Sequence, residues 1–114
     1  MCLPRTAAPA ACLAALLSLS AGPAAAQDIP RYPVERYCQE VANVSGGSRM
    51  IYNGCIDMEQ DAYDRLRRSW AGLPAQARRY CDEVARVTGG SYSILKGCID
   101  MESEAGASTP GFRY

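Results

Sequence analysis

The chain of 114 residues contains no histidine. That removes the side chain most often used as a general base or to activate a nucleophile near neutral pH, and with it the imidazole ligand of many zinc sites. There is no C-x-x-C pair, no G-x-S-x-G elbow and no P-loop, so the motif-bearing routes to redox, acyl-transfer and nucleotide chemistry are missing. An excess of one charge is missing too. The 12 Lys or Arg are matched by 12 Asp or Glu, which takes away the electrostatic basis for holding nucleic acid or an anionic membrane. No apolar run reaches the ~20 residues that span a bilayer. Catalysis would have to rest on carboxylates alone, Asp57, Glu59, Asp100 and Glu102. The expectation is a non-enzyme with no cofactor and no metal.

What is present starts with an export signal. Arg5 gives a short positive start, Ala10 to Ala21 an apolar stretch, and Pro23 with Ala24-Ala25-Ala26 a helix break followed by small residues. This pattern predicts a signal peptide over 1–26, cut before Gln27, and a periplasmic or secreted protein with no membrane span after cleavage. Two of the six cysteines, Cys2 and Cys12, would leave with it. Four would remain in an oxidising compartment, where a small domain gains from disulfides.

The rest of the chain is organised by a repeat. Residues 36–62 recur at 79–105 without insertion or deletion, with 18 of 27 positions identical. Each copy reads Arg-Tyr-Cys, then Gly-Gly-Ser, then Gly-Cys-Ile-Asp-Met-Glu, so one small structural unit is used twice. After an extended lead-in at 27–32, three-and-four spacing predicts a helix from Pro33, with Val34, Cys38, Val41 and Ala42 on one face. Gly46-Gly47 closes it. Ser48 caps a second helix with an apolar stripe of Ile51, Cys55, Met58, Ala62 and Leu66, running towards Trp70. Pro74 opens a third helix to about Val87, Gly89-Gly90 turns the chain, and Ser91 starts a fourth that ends near Glu104. The tail, 105–114, reads as disordered. The fold class is all-α: two tandem antiparallel helical hairpins over 33–104, packed as a small four-helix domain, with the alternative that the long second helix holds them apart.

The repeat also orders the cysteines. Cys38 lies eight residues before Gly46 and Cys55 eight after Gly47, and Cys81 and Cys98 are placed in the same way around Gly89-Gly90. Residues equidistant from a hairpin turn stand at the same height, about 12 Å from it by the helical rise. This predicts the pairs Cys38–Cys55 and Cys81–Cys98, each closing a hairpin. Gly54 and Gly97, just before the second cysteine of each pair, are expected to let the helices approach closely.

The frame Y-C-x-E-V-A-x-V-[ST]-G-G-S followed by G-C-I-D-M-E, then a Trp- and Pro-containing linker and a second copy, resembles a group of small exported alphaproteobacterial proteins. The likeness covers residues 36–104. It implies an exported, twice-repeated unit, marks Cys38, Cys55, Cys81 and Cys98 as structural positions, and brings no activity with it.

Three residue sets are candidate sites. Asp57, Asp61 and Asp64 share a helix face, but so few carboxylates on one helix suit a solvated face paired with Arg65, Arg67 or Arg68 better than a cation site. The Gly-Gly-Ser turns lead into helix N-termini, which can hold anions, with Arg49 beside the first and Tyr92 beside the second. Among the aromatics, Tyr37 and Tyr80 occupy one repeat position and are expected to pack, leaving Tyr52, Trp70 and Tyr92 as the recognition surface. The functional expectation is a scaffold or protein-binding module with a protein partner in the cell envelope. The alternatives are a small-ligand, anion or cation binder and, third, a thiol-redox protein.

Overall fold

The computed structural model describes residues 28–114, and the signal-peptide assignment therefore lies outside the described residues. Among the described residues four helices follow one another: α1 (Val34–Val44), α2 (Arg49–Ser69), α3 (Ala75–Val87) and α4 (Tyr92–Ala107). A single 3-10 turn, Trp70–Gly72, follows α2. No strand occurs among the described residues.

Each helix boundary has a local cause. Pro33 and Pro74 stand immediately before α1 and α3, where a missing N–H is harmless. Ser48 and Ser91 cap α2 and α4, their hydroxyls accepting from the N–H of Ile51 and Ile94 at 3.3 and 3.2 Å. The two hairpin turns are the same structure made twice. Gly46 and Gly89 donate to the carbonyls of Asn43 and Arg86, while Gly47 and Gly90 donate to Ala42 and Ala85. This is the Schellman arrangement that satisfies the last carbonyls of a helix. All four glycines have positive φ, from +72° to +95°, which a side chain would oppose.

The fourth helix runs three residues beyond its expected end at Glu104. The hydroxyls of Ser108 and Thr109 donate to the carbonyls of Glu104 and Ala105 at 3.1 and 3.0 Å and so satisfy acceptors that the helix end would leave bare. Residues 109–114 carry no regular structure and are exposed.

Both disulfides form as the repeat spacing predicts. Cys38–Cys55 and Cys81–Cys98 each join Cα atoms 5.5 Å apart, tying α1 to α2 and α3 to α4. The hairpins also pack on each other, through α2 against α4. The long second helix therefore joins the hairpins rather than holding them apart. It belongs to α1 in its first half and to α4 in its second.

This division places the core. Its buried cluster is Ala62, Leu66 and Trp70 from the second half of α2, Cys81 and Ala85 from α3, Tyr92, Leu95 and Ile99 from α4, and Tyr32 from the lead-in. From α1 and the first half of α2, only Cys38 and Ala42 are buried apolar residues.

Candidate functional site

The buried polar residues among those described, Glu59 and Ser91, meet at the second Gly-Gly-Ser turn, where α4 begins. A helix start leaves backbone N–H groups without partners and carries partial positive charge. Here a carboxylate from another helix meets them. Glu59 of α2, only 2% exposed, accepts from the Ser91 hydroxyl at 2.7 Å and from the N–H groups of Tyr92 and Ser93 at 2.5 and 3.3 Å. Three donors on one buried carboxylate account for its burial without a cation.

The lead-in seals the same turn from outside. The Tyr32 ring lies where a Cβ on Gly90 would meet it at 3.0–3.1 Å. Tyr32 stacks at 4.7 Å from the ring of Tyr92, which in turn lies 4.8 Å from Tyr63. The Tyr92 hydroxyl donates to the Pro30 carbonyl at 2.7 Å and accepts from the Tyr32 N–H at 3.1 Å. The Tyr32 hydroxyl donates to Asp82 at 2.7 Å, and Asp82 also accepts from Arg86 at 3.0 Å. Burial, and then the bond to Asp82, push the Tyr32 hydroxyl far above the ordinary tyrosine range. Burial also raises that of Tyr92.

The first turn has the same backbone and none of this cover. A Cβ on Gly47, the counterpart of Gly90, would meet only the Asn43 side chain of its own hairpin, at 4.0 Å. The Ser48 hydroxyl makes only its own cap contact with Ile51 among the described residues. Arg49, which replaces Tyr92, is exposed.

An apolar groove of about 350 Å³ runs along the α1–α2 seam, lined by Tyr37, Val41, Met50, Ile51, Gly54 and Met58, and reaches Glu59 and Ser93 at the second turn. Met50 and Met58 stand 78% and 66% exposed on its rim. Gly54 is exposed, and a Cβ added there would meet nothing within 4 Å.

Several sequence expectations are corrected by these positions. Trp70 and Tyr92, each 6% exposed, belong to the core and cannot form a recognition surface; only Tyr52 of that trio stays partly exposed. The reason is that α2 crosses onto α4, burying its far end and the start of α4 together. Tyr80 is exposed, while Tyr37 is half-buried with its ring 3.9 Å from where a Cβ on Gly89 would stand, so only the first copy of the repeated tyrosine packs. Met58 leaves the expected stripe because the buried face of α2 turns to Glu59, Ala62 and Leu66. Gly54 and Gly97 do not admit a neighbouring helix, since open space faces both.

Of the acidic face, Asp61 pairs with Arg65 at 2.9 Å, and Asp64 accepts from Gln60 at 3.0 Å. No group of three metal-ligating side chains occurs among the described residues. The four cysteines among the described residues lie in disulfides. Sequence reasoning missed two residues at the sealed turn. Glu59 was readable from its spacing, since it precedes Ala62, Leu66 and Trp70 by three, seven and eleven residues on one helix face. Tyr32 lies in a segment with no periodicity, and nothing local marked it.

No helix among the described residues is long and apolar enough to cross a membrane. No family model, curated protein or solved structure matches the chain.

Proposed function

We propose that the protein is an exported, non-catalytic binding module whose protein partner lies in the α1–α2 groove, across Gly54. The observation that carries this reading is Gly54 itself. A mid-helix glycine costs about 0.5–1 kcal/mol relative to alanine, and no neighbour among the described residues requires it. Its repeat counterpart Gly97 is also exposed and faces open space. A close-approaching group from outside the chain accounts for both positions, and the exposed methionines beside Gly54 supply adaptable apolar contact. Two such positions on two linked hairpins suit a two-point contact, whose strength exceeds that of either alone.

Export is part of the proposal and rests on the N-terminal sequence pattern together with the two disulfides. Fractionation with N-terminal sequencing tests it: the mature protein should start at Gln27 and be absent from the cytosol. The groove is tested by a photo-cross-linking residue placed at Met58 in cells, compared with one at Arg65. A single adduct from position 58, lost when Gly54→Leu fills the groove and absent from position 65, is the expected result. Equal cross-linking from both positions, or an adduct that Gly54→Leu leaves intact, would remove the groove from consideration.

A further inference from the structure

Within one chain, the first hairpin supplies a carboxylate and the second hairpin receives it. The repeat places the same two parts again at exposed positions, with no contact to another helix through hydrogen bonds or ion pairs among the described residues. We propose that they meet between copies: Glu102 of one chain docks on the Gly46-Gly47-Ser48 turn of the next, and the protein associates head to tail.

The receiving side is defined by comparison with its twin. Ser91, Tyr92, Leu95 and Ile99 are buried beneath α2, whereas their repeat counterparts Ser48, Arg49, Tyr52 and Ile56 are partly or fully exposed. The backbone of the two turns is the same Schellman arrangement, and both serines cap the following helix through the same atom. In the second turn this arrangement ligates a carboxylate, with the serine hydroxyl and two backbone N–H groups as donors. In the first, Arg49 and Met50 are exposed and Ser48 partly so, and Arg49 places a positive charge where the internal site has Tyr92.

The supplying side is Glu102, the repeat counterpart of Glu59. It is exposed and has no hydrogen bond or ion pair among the described residues, and the last turn of α4 around it is exposed on every side. A charged acceptor thus stands unpartnered on α4, and a set of donors built for one stands open on α2. Within the chain the carboxylate passes one way, from the first hairpin to the second; repeating that step between copies leaves one free turn and one free Glu102 on each oligomer, so association continues head to tail. The apolar part of the contact is thinner than inside the chain. Ala105 matches Ala62, but Gly106 and Thr109 take the places of Tyr63 and Leu66. Association is therefore weak, and added salt reduces it through the Arg49 and Glu102 charges.

The test is the mass-average molar mass of the oxidised mature chain by sedimentation equilibrium. It should roughly double when the chain concentration equals the dissociation constant, expected on the order of 0.1–1 mM. Two exposed substitutions disable one end each: Glu102→Ala removes the supplied carboxylate, and Arg49→Glu opposes an incoming one. Each variant alone should remain monomeric, with unchanged circular dichroism. An equimolar mixture should form a one-to-one dimer and stop there, because only one contact is left. A wild-type chain that stays monomeric through several times that concentration overturns the proposal. So do single variants that associate like the wild type, and a mixture that stays monomeric or grows past the dimer.

Discussion

Glu59 and Glu102 are the same residue at the same repeat position, and their surroundings give them opposite weight. Glu59 is buried with three donors; Glu102 is in water. Glu59→Ala should lower unfolding free energy by about 2–3 kcal/mol, because it strands buried donors at the start of α4. Glu102→Ala should stay within about 0.5 kcal/mol, and paired urea titrations of the two variants check the contrast. Tyr32 gives a pH prediction of definite sign. Its hydroxyl is held neutral in the fold above the ordinary value of 10.0, by burial first and by the Asp82 bond second. A tyrosine raised in this way contributes its full stabilisation below the unfolded value and loses it as pH rises above, since the unfolded chain releases the proton first. The urea midpoint should therefore fall above about pH 10, and Tyr32→Phe should make that fall shallower. A midpoint with the same pH slope in both proteins would contradict the assignment.

At the scale of the element, α2 is one helix with two successive duties. Its first half forms a hairpin with α1, and its second half is part of the core with α4. The buried face accordingly drifts along its 21 residues, which is why a single stripe read through Met58 fails. Gly54 sits on the first half, where the open groove gives a Cβ free space. Gly54→Ala should raise stability by about 0.5–1 kcal/mol through helix propensity, read as a higher thermal midpoint. A loss of stability would show that the site is more crowded than the geometry allows. Gly90→Ala should do the reverse, since φ is +92° and the Tyr32 ring blocks the new methyl.

Over the whole molecule, the two hairpins are chemically alike and mechanically unequal. Each disulfide closes a loop worth ~3 kcal/mol in the chain-entropy account, but Cys81 belongs to the buried cluster, with Cys98 packed against it, while Cys38–Cys55 lies outside it. Replacing Cys38 and Cys55 by alanine should speed amide exchange in α1, which packs chiefly on α2, and leave α4 protected. Replacing Cys81 and Cys98 should speed exchange throughout. Equal effects of the two replacements would mean that the halves share stability evenly.

The duplicated frame by itself determined the helices, their caps, the two glycine turns and the cysteine pairing. All of these depend on residues close in sequence or on distances counted from one turn, and a repeat shows such rules twice. It did not determine which copy of each residue would be buried. Glu59 and Glu102, Ser91 and Ser48, Ile99 and Ile56 are identical pairs in matched positions, so no local rule tells them apart. That decision belongs to the tertiary structure: α2 is long enough to reach α4, its far end and the Tyr32 lead-in cover the second turn, and nothing remains in the described chain to cover the first.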